Sequence, residues 1–232
     1  MTPGRPQTRI PAAGQRRGRE SVARGTRRAS EILARLKEAY PEAGCALQYQ
    51  NSLELLVATI LSAQCTDVRV NMVTPALFAR CRTAVDYADI PTVELETLIQ
   101  SAGFFRNKAK SLRGLGRALL DHHGGEVPRT LAELVELPGV GRKTANVVLG
   151  NAFGLDEGIV VDTHVGRLSG RLALTRSIDP VRVELDLVPL FPRAAWTLVA
   201  HLLIAHGRKI CRARTPICGA CILADLCPSA RS

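Results

Sequence analysis

No apolar run in these 232 residues approaches the ~20 residues that a membrane-crossing helix requires. The best, residues 196–205, is interrupted by His201, so no membrane partner is expected. Aromatic residues are scarce at 4% of the chain, and no convincing alternation of apolar and polar residues marks a strand. An apolar secretory leader is also missing, and three of the seven cysteines (Cys45, Cys65, Cys81) are scattered. Those two absences argue against a secreted disulfide framework and for a reduced, intracellular setting with a metal site. Acidic residues are few as well: 21 Asp and Glu against 31 Lys and Arg leave a net charge of +10, which suits a polyanionic partner.

Seven of those ten charges sit in residues 1–28, which hold eight Arg and one Glu, so the rest of the chain is only mildly basic. With almost no large apolar side chain, 1–28 is expected to be a disordered basic tail. It would tether DNA non-specifically or have no role; organellar targeting is a minor alternative to a cytoplasmic, nucleoid-associated location.

What is present is helical. Ser30 is expected to cap a helix carrying Ile32, Leu33, Leu36 and Tyr40 on one face. Ser52 opens 53–61, apolar nearly all round and therefore a central core helix. Asp67 is placed as the next cap, with Pro75 breaking or kinking the helix that follows. Helices are expected over 93–102 and from Asn107 to His122, each ended by glycine. Asp162 and Asp179 cap two more, and a last helix over 194–206 stops at Gly207. The fold class is all-α.

The chain's organising stretch is Leu137-Pro138-Gly139-Val140-Gly141-Arg142-Lys143-Thr144-Ala145, followed by Val161-Asp162-Thr163-His164. Thr130 and Glu133 form a capping box opening a helix over 131–137. Two glycines then make a tight hairpin, and 143–152 reads as a second helix stopped by Gly154. Helix, hairpin and helix together present backbone N–H groups to a phosphate. A P-loop is excluded, because Arg142 stands where Gly must precede the Lys. Two readings remain on the residues alone. Lys143 is a solvated charge beside a phosphate-holding hairpin, or it is an amine nucleophile that forms a Schiff base with Asp162 assisting.

Cys211, Cys218, Cys221 and Cys227 are spaced C-x6-C-x2-C-x5-C. Four thiolates on one short loop suit tetrahedral zinc or a 4Fe–4S cluster, and spacing rules alone leave both open.

These motifs resemble the endonuclease III family of helix–hairpin–helix DNA glycosylases, over roughly residues 30–228. The resemblance implies a bifunctional DNA glycosylase/AP lyase of base excision repair that removes oxidised pyrimidines and nicks the strand by β-elimination. It makes Lys143 and Asp162 catalytic and assigns the four cysteines to a 4Fe–4S cluster. Lys143 is expected to be partly buried beside Arg142, surroundings that favour the free amine. His164 is read as structural. Gly139, Val140, Gly141 and Arg142 would hold the DNA backbone, and Arg212 and Arg214 would meet phosphates from the cluster loop. Gln64 would fill the gap left by the extruded base, with Phe104 as the opposing wedge. The chain departs from the family in carrying Phe104 where relatives have Leu, and Thr215-Pro216-Ile217 where they have basic residues.

The resemblance also implies two lobes facing a cleft: 45–156 as a central domain with the hairpin unit at 131–152, and 29–44 with 157–232 as a second lobe carrying the cluster loop at 211–227. The expected partner is double-stranded DNA containing damaged bases or abasic sites, bound by a monomer. Alternatives are a glycosylase for alkylated or other bases, and a non-catalytic iron–sulfur DNA-binding module that would need neither Lys143 nor Asp162.

Overall fold

The computed structural model describes residues 22–231, and no strand occurs among them. Their α-helices are α1 (Val22–Ala39), α2 (Ser52–Leu61), α3 (Asp67–Arg80), α4 (Ala84–Asp89), α5 (Thr92–Ile99), α6 (Phe105–His123), α7 (Leu131–Val135), α8 (Arg142–Phe153), α9 (Thr163–Arg171), α10 (Pro180–Leu187) and α11 (Trp196–Lys209). None of these is by itself long and apolar enough to cross a membrane. The all-α expectation holds.

Several boundaries differ from the sequence reading, each for a physical reason. Of the basic tail, 1–21 lies outside the described residues, but 22–28 is helical. Ser30 is therefore no cap; it lies mid-helix, its hydroxyl donating to the Thr26 carbonyl at 3.0 Å. The cap of α2 is Asn51, whose Oδ1 reaches the Glu54 amide at 2.9 Å and leaves Ser52 inside the first turn. Thr66 caps α3 in the same way, freeing Asp67 to pair with Arg208 of α11 at 2.6 Å. Pro75 removes one backbone bond, yet α3 runs through it to Arg80. The sequence reading missed α4, six residues opened by a Thr83–Asp86 capping box. Gly207 does not end α11 but lies inside it against the side chains of His164 and Arg167, where a Cβ would come within 3.0 Å of both.

Two buried clusters organise these helices. The first gathers around α2, where Leu55 through Leu61 are all buried, and takes in Leu77, Leu95, Leu112, Leu115, Ala145 and Leu149. The second joins Ile32 and Leu36 of α1 to Val165, Leu168, Leu187, Val199 and Leu203. Each such buried leucine, isoleucine or valine side chain stabilises the fold by roughly 1.5–3 kcal/mol. Helix α4 comes so near α6 that a Cβ on Gly116 would stand 2.6 Å from both the Ala84 oxygen and the Ala88 nitrogen, so only glycine fits there.

Candidate functional site

Helices α7 and α8 flank the glycine hairpin. Thr130 caps α7 by accepting from the Glu133 amide at 3.2 Å. The Glu133 carboxylate accepts from the Thr130 hydroxyl instead of the Thr130 amide, so only half of the expected box forms. Gly139 takes φ +81° against Ser111, a conformation and a space that exclude a side chain. Val140 is buried in the first core, and its amide closes the turn by donating to the Leu137 oxygen at 3.1 Å. Gly141 heads α8 with no side-chain cap, so the helix N-terminus stays open to an anion.

Lys143 projects from that first turn and is exposed; the partial burial expected of it is absent. The guanidinium of Arg142 is already engaged, donating from Nε and Nη2 to the two Glu184 oxygens at 2.9 Å each. This pair joins α8 to α10, and the Glu184 side chain is only 8% exposed. The buried carboxylate raises the Arg142 pKa and takes two of the five guanidinium N–H donors of the residue that the sequence reading gave to DNA.

Asp162 caps α9. A single oxygen, Oδ1, accepts from both the His164 and Val165 amides at 2.8 Å. Oδ2 accepts no bond among the described residues and remains available at the half-buried helix start. His164 contacts Arg167 Nη2 through Nδ1 at 3.1 Å, and burial lowers its pKa, so the ring is neutral and packs the start of α9.

Gln64 and Phe104 share an uncommon backbone. Both are exposed and left-handed, with φ 55° and 46°; Ala173 is the third such non-glycine residue among those described. Each such residue costs roughly 1–3 kcal/mol and persists only where its surroundings hold it. Gln64 follows α2, and Phe104 immediately precedes α6 with 63% of its surface exposed. Sequence reasoning missed what lies between them. Lys108 is 5% exposed, and its Nζ donates to the Leu61 oxygen at 2.7 Å and the Ala102 oxygen at 2.9 Å. The signal was available, since Lys108 falls on the apolar stripe with Ala109, Leu112 and Leu115.

The four cysteines of the C-terminal loop line a cavity of about 220 Å³. Four thiol donors on one cavity are the donor set that a thiolate-bound cluster takes. Arg171 donates to Cys211 Sγ at 3.2 Å and to the Arg212 and Ala213 oxygens at 2.7 Å, tying α9 to the loop. The His206 ring bridges the Tyr40 hydroxyl, 2.8 Å from Nδ1, and Cys221 Sγ, 3.3 Å from Nε2. Burial pushes the His206 pKa down to about 4, so the ring is a neutral imidazole. Hydrogen bonds to the sulfurs from both sides are what a thiolate-bound cluster requires of its surroundings. Arg212 and Arg214 are exposed on the same loop.

An open helix–hairpin–helix, a capping aspartate and a cysteine-lined cavity define a class. Residues 57–193 match the HhH-GPD superfamily of base excision DNA repair proteins, and residues 211–227 match the iron–sulfur binding domain of endonuclease III. Endonuclease III of Synechocystis sp. is 56% identical over 205 residues, covering 88% of this chain and 94% of that protein. The Escherichia coli K12 enzyme is 42% identical over 197 residues, covering 85% and 93%. A solved non-covalent endonuclease III–DNA complex superposes with a TM-score of 0.83 at 44% identity, covering 88% of this chain and 96% of that one. A trapped endonuclease III–DNA covalent intermediate matches equally well. The chain belongs to the endonuclease III family. It is a DNA glycosylase/AP lyase of base excision repair, and its cofactor is a 4Fe–4S cluster.

Proposed function

We propose that this enzyme acts as a monomer on oxidised pyrimidines in duplex DNA, with Lys143 as the nucleophile and Asp162 as its partner. The observation that carries this reading is the state of two helix starts. Lys143 stands exposed on the uncapped N-terminus of α8, and Asp162 caps α9 with one oxygen while the other stays free. The two packed cores then read as two lobes, and the Arg142–Glu184 pair sets the start of α8 against the second of them.

In the reaction, the free Lys143 amine attacks C1′ as the bond from C1′ to the base nitrogen breaks, and the base leaves with that electron pair. The Asp162 carboxylate stabilises the positive charge that develops on the sugar. Ring opening gives an imine between Nζ and C1′. Loss of a proton from C2′ expels the 3′ phosphate oxygen, nicking the strand, and water releases the lysine. The open N-terminus of α8 and the hairpin amides hold a neighbouring phosphate. Gln64 enters the space the base vacates, and Phe104 stacks on the opposite side.

The four cysteines would hold the cluster, which supplies a rigid staple for the loop presenting Arg212 and Arg214 to the backbone.

Borohydride trapping tests the reading. Duplexes carry either thymine glycol or a bare abasic site, and wild type is compared with Lys143→Gln. A wild-type adduct on thymine glycol that is absent in the variant supports the proposal. An adduct on the abasic duplex alone would refute the oxidised-pyrimidine specificity, and an adduct that survives in Lys143→Gln would refute the nucleophile.

A further inference from the structure

A buried lysine with no carboxylate beside it is costly, because an ammonium leaves water without a counter-charge. Lys108 is in that position. Its partners are two carbonyl oxygens, Leu61 at the end of α2 and Ala102 at the end of the 3₁₀ turn Gln100–Ala102. Both are orphan carbonyls at helical C-termini, where cations are favoured. Three residues beyond Leu61 stands Gln64; two beyond Ala102 stands Phe104. Both adopt left-handed backbone, and Gly103 between Ala102 and Phe104 has φ 70°.

We infer that Lys108 is a positioning residue: one ammonium joins the two loops so that Gln64 and Phe104 enter the duplex as a single rigid unit. This rests on the roles proposed above for those two residues. A methionine would fill the same space with no burial cost for charge, so packing alone does not account for a lysine here. What only a side-chain nitrogen with several N–H donors supplies is the simultaneous hold on two chain segments about forty residues apart, from 61 to 102. Burial lowers the Lys108 pKa, and the amine donates in either protonation state.

The test is a ratio of single-turnover rates. One substrate is a thymine glycol duplex. The other is a duplex with a bare abasic site opposite a tetrahydrofuran residue, which offers neither a base to extrude nor an orphan base to fill. Lys108→Met should lower the first rate relative to the second by about tenfold or more, the scale expected for losing charge-assisted hydrogen bonds. A general loss of structure would lower both rates alike, and an unchanged ratio would overturn the inference. Gln64→Ala and Phe104→Ala are measured alongside. If they lower the ratio and Lys108→Met does not, the roles of the two loops stand and the clamp falls. If neither lowers it, the roles themselves fall and take the clamp with them. Should Lys108→Met fail to fold, hydrogen exchange of the wild type decides. Amides of 62–66 and 103–105 should then share one opening free energy, and independent opening would refute the clamp.

Discussion

In the proposed reaction Asp162 holds two roles on separate oxygens, and substitution can pull them apart. Oδ1 accepts both cap bonds at 2.8 Å, while Oδ2 takes none among the described residues. Asparagine keeps an acceptor oxygen in the Oδ1 position and is as good an N-cap as aspartate. Asp162→Asn therefore loses only the favourable charge at the N-terminus of α9, roughly 0.3–1 kcal/mol. Asp162→Ala loses the cap as well, a further cost of about 1–2 kcal/mol. At this chain length each kcal/mol lowers Tm by roughly 2–4 °C, so the alanine variant should melt about 2–8 °C below the asparagine variant. The chemistry should not follow that order. Both variants place a neutral group where the sugar develops positive charge, and both should release base at least about 100-fold more slowly than wild type. Thermal melts and single-turnover base release on one duplex give the two readouts. Asp162→Asn at the wild-type rate would refute the catalytic oxygen, and Asp162→Asn melting as low as Asp162→Ala would refute the division of labour.

Arg142→Met strands the Glu184 carboxylate, which is 8% exposed, and should destabilise by about 2 kcal/mol, less than a fully buried pair because Arg142 is itself 46% exposed. Urea unfolding measures this loss. The slope of log affinity against log salt for duplex DNA should stay unchanged, and a fall of about one would show that Arg142 leaves Glu184 to contact a phosphate. His201 donates from Nε2 to Asn151 Oδ1 at 2.7 Å, and burial lowers its pKa. Its neutral form is thus the folded form. The stability it contributes is complete above the ordinary histidine pKa of about 6.5 and is lost as pH falls below that, because the unfolded chain binds the proton first. The denaturant midpoint of wild type should drop more between about pH 7 and 5 than that of His201→Gln, and parallel profiles would refute this.

How much was legible in the sequence depends on the distance over which each feature is decided. Thr130, Asp162 and Asp179 announce the helices they cap because a cap bond spans two or three residues, and the glycine hairpin and the cysteine spacing are equally local. Ser30, Ser52 and Asp67 show the limit of that reasoning. Each can cap, but a neighbour does so instead or the helix runs through, and the choice is made by packing one turn further on. The short α4 carries too few apolar positions to show a period, and its existence depends on Gly116 letting it lie against α6.

The site divides in the same way. Residue types and spacings singled out Lys143, Asp162 and the four cysteines but left a solvated Lys143 and a zinc site open; the family resemblance carried by those local motifs made them the proposed catalytic pair and the cluster ligands. Only the tertiary structure turned Arg142 toward Glu184, 42 residues away, and left Lys143 exposed beside it. It alone closed Lys108 over carbonyls 47 and 6 residues distant and held Gln64 and Phe104 in left-handed backbone. A side chain's type is written in the sequence, but its partner is whatever the packing of distant helices brings within 3 Å, and that distance is set by the whole fold.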